Sequence, residues 1–206
     1  MGGIDKLLTP LSGRPLIAHS IAAFAGHPGI DEVVVVVSEA NRAEIEAIVR
    51  EVAPEGRVAL GGARRRDSVL AGLEVVESEY VLVHDAARPL VSAEMIAATL
   101  AGARQTGAAL CAVPVSDTVK RVQEDGIVRS TVAREGLWLA QTPQGFRTEL
   151  LRRAHAATDI EATDDAALVE LLGEPLRVVM GSARNLKVTT REDLSLAAAL
   201  LAAGES

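Results

Sequence analysis

His84-Asp85-Ala86-Ala87-Arg88-Pro89 follows directly on the apolar run Tyr80–Val83, so a carboxylate and a guanidinium three residues apart leave the end of a buried strand together. In open α/β sheets that end is where ligands bind. The pair suits two roles equally: it can orient hydroxyl and phosphate groups, or it can close on itself as an ion-paired loop lock. Gly61-Gly62, followed by Ala63, Arg64, Arg65, Arg66 and Ser68, puts unhindered backbone and three cations ahead of a helix. Such a place suits an anion or a base edge, although a turn with a solvated basic face uses the same residues. Thr163-Asp164-Asp165 reads as a helix start, with Thr163 as N-cap and the aspartates facing the dipole. Lys187 sits in a short extended piece, residues 185–190, where a lone lysine is usually solvated. The sequence has no Ser-His-Asp or Cys-His arrangement. Chemistry by positioning and charge neutralisation is therefore favoured over a covalent intermediate, which is the character of phosphoryl and nucleotidyl transfer.

These residues need a frame. Runs rich in β-branched residues at 32–38, 80–84, 108–113 and 176–179 do not alternate polar with apolar, so both of their faces should be covered, as in a parallel sheet between helices. Amphipathic stretches lie between them at 15–25, 41–52, 67–77, 92–106, 148–157, 164–172 and 190–203. Ser92 and Thr190 have the character of N-caps, with Asp193 three residues beyond Thr190 as a near capping box. The alternation implies an α/β fold with an open, mostly parallel sheet and right-handed crossovers. Residues 117–140 break the rhythm. Two alternating runs flank Gln123-Glu124-Asp125-Gly126, a strong turn signal, and read as a β-hairpin arm with Arg134 far along it. An uncovered hairpin is marginal in water, which favours a partner chain as its cover.

Composition narrows the class. The 206 residues are 49% hydrophobic and 24% charged with a net charge of −7, as expected of one globular domain with a large core. Cys111 is the single cysteine and lies in an apolar run, so it reads as a buried small hydrophobe. The four histidines show no ligand spacing, leaving a structural zinc site without support. Few aromatics and an acidic balance argue against nucleic acid. No apolar stretch is long enough for a membrane span and no leader pattern opens the chain, so a cytoplasmic protein is expected.

Taken together, VLVHDAARPLV, GGARRRDSVLAGL, PVSDTVKRV, QTPQGF, TDDAALVE and NLKVTTREDL, in their spacing along the chain, closely resemble the 2-C-methyl-D-erythritol 4-phosphate cytidylyltransferases of the non-mevalonate isoprenoid pathway. The resemblance runs from about Lys6 to the last helix. It implies a three-layer α/β/α nucleotidyltransferase and a homodimer whose β-arms, near 117–140, reach over each other's sites. It also implies a reaction in which the phosphate of methylerythritol phosphate attacks the α-phosphorus of CTP, with Mg²⁺ held mainly by the CTP phosphates. By motif, Lys6 and Lys187 would be the catalytic cations. Gly62, Ala63 and Ser68 would contact cytosine, and Asp85, Ala86 and Arg88 would line the junction of ribose and methylerythritol. Thr118, Thr142, Thr163 and the partner's arm residue Arg134 would hold the acceptor phosphate. Family members place an apolar strand and a glycine-rich loop just ahead of the point matched by Met1-Gly2-Gly3, so that strand and loop are expected to be missing from the chain as given. Two other readings stand beside this one. One is a cytidylyltransferase for another polyol phosphate such as ribitol 5-phosphate, and the other is a non-catalytic homologue.

Overall fold

The computed structural model describes residues 6–160 and 162–204. The expectations for the N-terminal strand and glycine-rich loop lie outside these residues. A short 3₁₀ turn, Lys6–Leu8, leads to a small antiparallel pair, β1 (Pro10–Leu11) and β2 (Arg14–Pro15), and then to α1 (Leu16–Ala25). Next come β3 (Val34–Val37), α2 (Arg42–Val52), β4 (Arg57–Leu60), α3 (Arg65–Val75), β5 (Tyr80–Val83), α4 (Ala93–Thr106) and β6 (Ala108–Pro114). The arm is β7 (Val119–Val122) with β8 (Val128–Val132), and β9 (Trp138–Arg147) returns to the centre. The chain ends with α5 (Thr148–Ala157), α6 (Asp165–Leu171), β10 (Arg177–Met180) and α7 (Arg191–Gly204).

The sheet order is β10-β6-β9-β5, with β3 and β4 paired in parallel beside it. β10 runs parallel to β6, while β9 runs antiparallel to both of its neighbours, so β5, β6 and β10 share one direction. β6 shows why both faces had to be apolar. Ala108, Leu110 and Ala112 join the cores built with α5 and α6, whereas Cys111 packs with Met95 and Ile96 of α4. Helices on both faces give the three layers. Ser92 accepts the Met95 N–H at 3.3 Å to start α4, and Gly107, at φ +89°, ends it in the left-handed region that glycine enters without strain. Thr190 and Asp193 form the expected reciprocal cap, with Thr190 N–H donating to Asp193 at 2.9 Å and Asp193 N–H donating to Thr190 Oγ1 at 3.1 Å.

Several boundaries differ from the sequence reading. The arm proper spans 119–132, and Ala140 already belongs to the central strand β9. The sequence hides β9 because Pro143 and Gly145 are poor strand residues. The ladder passes Pro143 by a bulge in β9, where Leu110 pairs with Gln144 and Ala112 with Ala140. Asp164, not Thr163, caps α6, its carboxylate accepting the Ala167 N–H at 3.0 Å. Arg134 is at the foot of the arm and donates to the Ser116 carbonyl, since β8 ends before it.

Between β3 and β5 runs a cavity of about 700 Å³. Val33, Val34, Val35, Val36 and residues 80–83 form its sides, and Ile17, Ile21, Val69 and Leu73 help to close it. Among the described residues β3 pairs only with β4 and β5 only with β9, so the strand edges facing this space carry no partner. No helix among the described residues is long and apolar enough to cross a membrane.

Candidate active site

At one end the cavity turns polar, where Arg65, Ser68, His84, Asp85 and Ala86 line it. Three segments knit this end together. The first leaves β5 at His84, the second is the buried stretch 141–144 of β9, and the third is 182–188 between β10 and α7. The His84 ring joins the first two. Its Nε2 faces the Arg88 carbonyl at 3.1 Å, an acceptor, so Nε2 carries the proton and Nδ1 accepts from the Thr142 hydroxyl at 3.0 Å. That hydroxyl in turn accepts the Asp85 backbone N–H at 3.0 Å. Burial pushes His84 down to about 4, against the weaker pull of the Arg88 carbonyl and Asp85, so the ring is a neutral strut at neutral pH.

Asn185, fully buried, binds the third segment to the second by donating to the Thr142 carbonyl at 2.9 Å and to Gln141 Oε1 at 3.3 Å. Arg88 donates to the Asn185 carbonyl at 2.8 Å, and Val188 N–H reaches the Ala87 carbonyl at 2.8 Å. This places Lys187 Nζ 2.9 Å from Asp85 Oδ2, with Arg88 Nε at 3.5 Å from the same oxygen. Burial works to raise the Asp85 carboxyl, but the hydrogen bond and charge of Lys187, then Arg88 and Arg65, hold it below the usual carboxylate range. The result is an ionised carboxylate set among cations, able to accept hydroxyls, beside a lysine that is 44% exposed and free to meet an anion.

The 61–66 turn follows β4. A Cβ on Gly62 would lie 2.4 Å from Asp67 Cβ, so only glycine lets the chain fold this tightly onto Asp67, which the Arg64 guanidinium holds at 2.8 Å. Gly62 and Ala63 are exposed, and the Ser68 hydroxyl donates to the Arg64 carbonyl at 3.2 Å. On the opposite side, Gln144 donates to Asp164 at 2.9 Å and accepts the Ala166 N–H at 3.1 Å, tying the Thr163 turn to β9.

The structure thus gathers Asp85, Ala86, Arg88, Thr142 and Lys187 into one cluster, with Ser68 on the same cavity. Thr142 is buried and its hydroxyl serves the His84 and Asp85 contacts. Thr118 and Arg134 stand exposed at the foot of the arm, and among the described residues neither they nor Lys6 carry an ion pair to the cluster. Lys6 opens the 3₁₀ turn whose Leu7 lines the cavity. Sequence reasoning missed His84, Gln141, Gln144 and Asn185 as site builders. Only their presence within the quoted motifs marked them, because a buried polar strut has no local signature.

A family model described as IspD, 2-C-methyl-D-erythritol 4-phosphate cytidylyltransferase, matches residues 1–203. The chain belongs to this family. A family protein of Dehalococcoides mccartyi is 42% identical over 99% of this chain and 91% of its own length. One from Syntrophotalea carbinolica is 46% identical over 96% and 88%. The crystal structure of the Thermus thermophilus cytidylyltransferase superposes with a TM-score of 0.84 at 38% identity, covering 95% of this chain and 93% of that one. The Anaerococcus prevotii 4-diphosphocytidyl-2C-methyl-D-erythritol synthase does so at 0.87 with 31% identity, covering 95% and 92%. The fold is therefore the α/β nucleotidyltransferase of the family, and the chain is an enzyme of the cytidylyltransferase class.

Proposed function

We propose that the protein transfers the cytidylyl group of CTP to 2-C-methyl-D-erythritol 4-phosphate and releases pyrophosphate. The observation that carries this is the Asp85–Lys187 pair, at 2.9 Å, at the polar end of the cavity in a chain of this family. An oxygen of the acceptor phosphate forms a bond to the α-phosphorus while the bond to the β-bridging oxygen breaks, and the electron pair leaves with pyrophosphate. Both reactants are anions, so the protein's part is to bring them together and offset charge at phosphorus. Lys187 meets the developing charge, with Lys6 as the second cation. Asp85 accepts hydroxyls of ribose and acceptor, held in place by Arg88 and by the His84–Thr142 strut. Gly62, Ala63 and Ser68 face cytosine. Thr118, Thr163 and a partner's Arg134 form the acceptor-phosphate side, with the arm reaching to a second copy of the chain, while Thr142 stays buried in the strut beneath Asp85.

Among the described residues no group of three or more histidine, cysteine or acidic side chains could hold a metal ion. Asp85, the carboxylate lining the polar end of the cavity, would be the residue to meet a magnesium ion brought in with CTP. When bound, the ion would neutralise the triphosphate.

The test is pyrophosphate release from CTP with methylerythritol phosphate as acceptor, run in parallel with ATP, GTP and UTP. Release with CTP that depends on the acceptor supports the reading. Equal release with any nucleotide, or none with CTP, contradicts it.

A further inference from the structure

Three consecutive arginines of the turn carrying Gly62 and Ala63 reach the segment that leads into α6. Arg64 lies 3.3 Å and Arg66 3.5 Å from Asp159, and Arg66 also donates to the His155 carbonyl. Asp159 is 79% exposed, so these pairs contribute little. Arg65 differs: its guanidinium is 2.6 Å from Asp165, whose side chain is fully buried. The other carboxylate oxygen of Asp165 accepts from Nε2 of His155, also fully buried, at 2.9 Å. Burial works to raise the Asp165 carboxyl, but His155 and Arg65 keep it below its ordinary range. A buried carboxylate that stays charged strongly resists losing either partner. It therefore fixes Arg65, which lines the cavity with Asp85. Arg65 is three residues after Gly62, and Asp165 is two after Thr163.

We propose that Arg65, gripped by the buried Asp165–His155 pair, is a positioning residue that locks the nucleotide turn to the acceptor turn, so that binding of either substrate favours the other. This rests on the cytidylyltransferase reading above. Coupling of this kind is reciprocal, and typical values correspond to a factor of about 5–150 in affinity.

Calorimetric titration with α,β-methylene-CTP, which cannot transfer its cytidylyl group, measures it directly. In the wild-type chain the analogue's Kd should fall by roughly fivefold or more when methylerythritol phosphate is saturating. The ratio should approach 1 in Asp165→Asn and in His155→Leu. It should persist in Asp159→Asn and in His155→Gln, whose amide can replace the Nε2 donor. Arg65→Lys, which keeps the charge, should keep part of it and serves as the test if Asp165→Asn does not fold. A wild-type ratio of 1, or an unchanged ratio in Asp165→Asn or His155→Leu whatever their melting temperatures, would overturn the proposal and leave the cytidylyltransferase reading standing. Absence of analogue binding in the wild-type chain would overturn both.

Discussion

Lys187 keeps Asp85 ionised against the burial that opposes it, and on the proposed reaction the same ammonium faces the charge that grows at phosphorus. Lys187→Ala should therefore reduce turnover by about 10²–10³, the usual cost of losing a contact made mainly in the transition state. Full turnover in that variant would remove Lys187 from the reaction. The strut beneath it responds to acid. His84 is lowered from 6.5 to about 4 by burial, so below pH 6.5 the unfolded chain takes up a proton that the folded chain refuses until about pH 4. Its contribution to stability is complete above 6.5 and is lost as pH falls towards 4, about 3 kcal/mol. The melting temperature of the wild-type chain should drop across this window, and His84→Gln should flatten the drop. An unchanged slope in the variant would mean that other groups cause the acid loss.

At the scale of elements, the turn after β4 and the arm carry the clearest expectations. Gly62→Ala forces a Cβ to within 2.4 Å of Asp67 Cβ, so the turn must move and the KM for CTP should rise about tenfold or more. Steady-state kinetics decides this, and an unaltered CTP KM would separate the turn from nucleotide binding. Much of this layer was legible in the sequence. The caps of α4 and α7, the valine run of β3 and the Asp-Gly turn of the arm are local signals, and they appear within a few residues of their expected places. β9 was not legible, because its proline and glycine contradict strand propensity and only its neighbours β5 and β6 hold it extended. Asp164 took the cap from Thr163 because its longer side chain reaches the Ala167 N–H while also meeting Gln144. The polar cluster divides in the same way: Asp85, Arg88 and Lys187 announced themselves by type and spacing, whereas His84, Gln141 and Asn185 matter through tertiary contacts alone.

For the whole molecule, the exposed arm and the place of Arg134 at its foot lead to an expectation about pairs of chains. If Arg134 serves the neighbour's acceptor phosphate, Arg134→Ala should raise the acceptor KM and leave CTP binding nearly unchanged. Mixing it with Lys187→Ala should restore activity as subunits exchange, because one of the two sites in the mixed dimer is then intact. No recovery, with exchange confirmed by mass, would assign the arm to its own subunit. Transfer of the cytidylyl group onto the acceptor phosphate can be followed with CTP labelled at the α-phosphorus and unlabelled methylerythritol phosphate. The label should appear in a cytidine diphosphate ester of methylerythritol, formed in equal amount with unlabelled pyrophosphate. Label recovered only as CMP, or left in CTP, would rule out cytidylyl transfer to this acceptor.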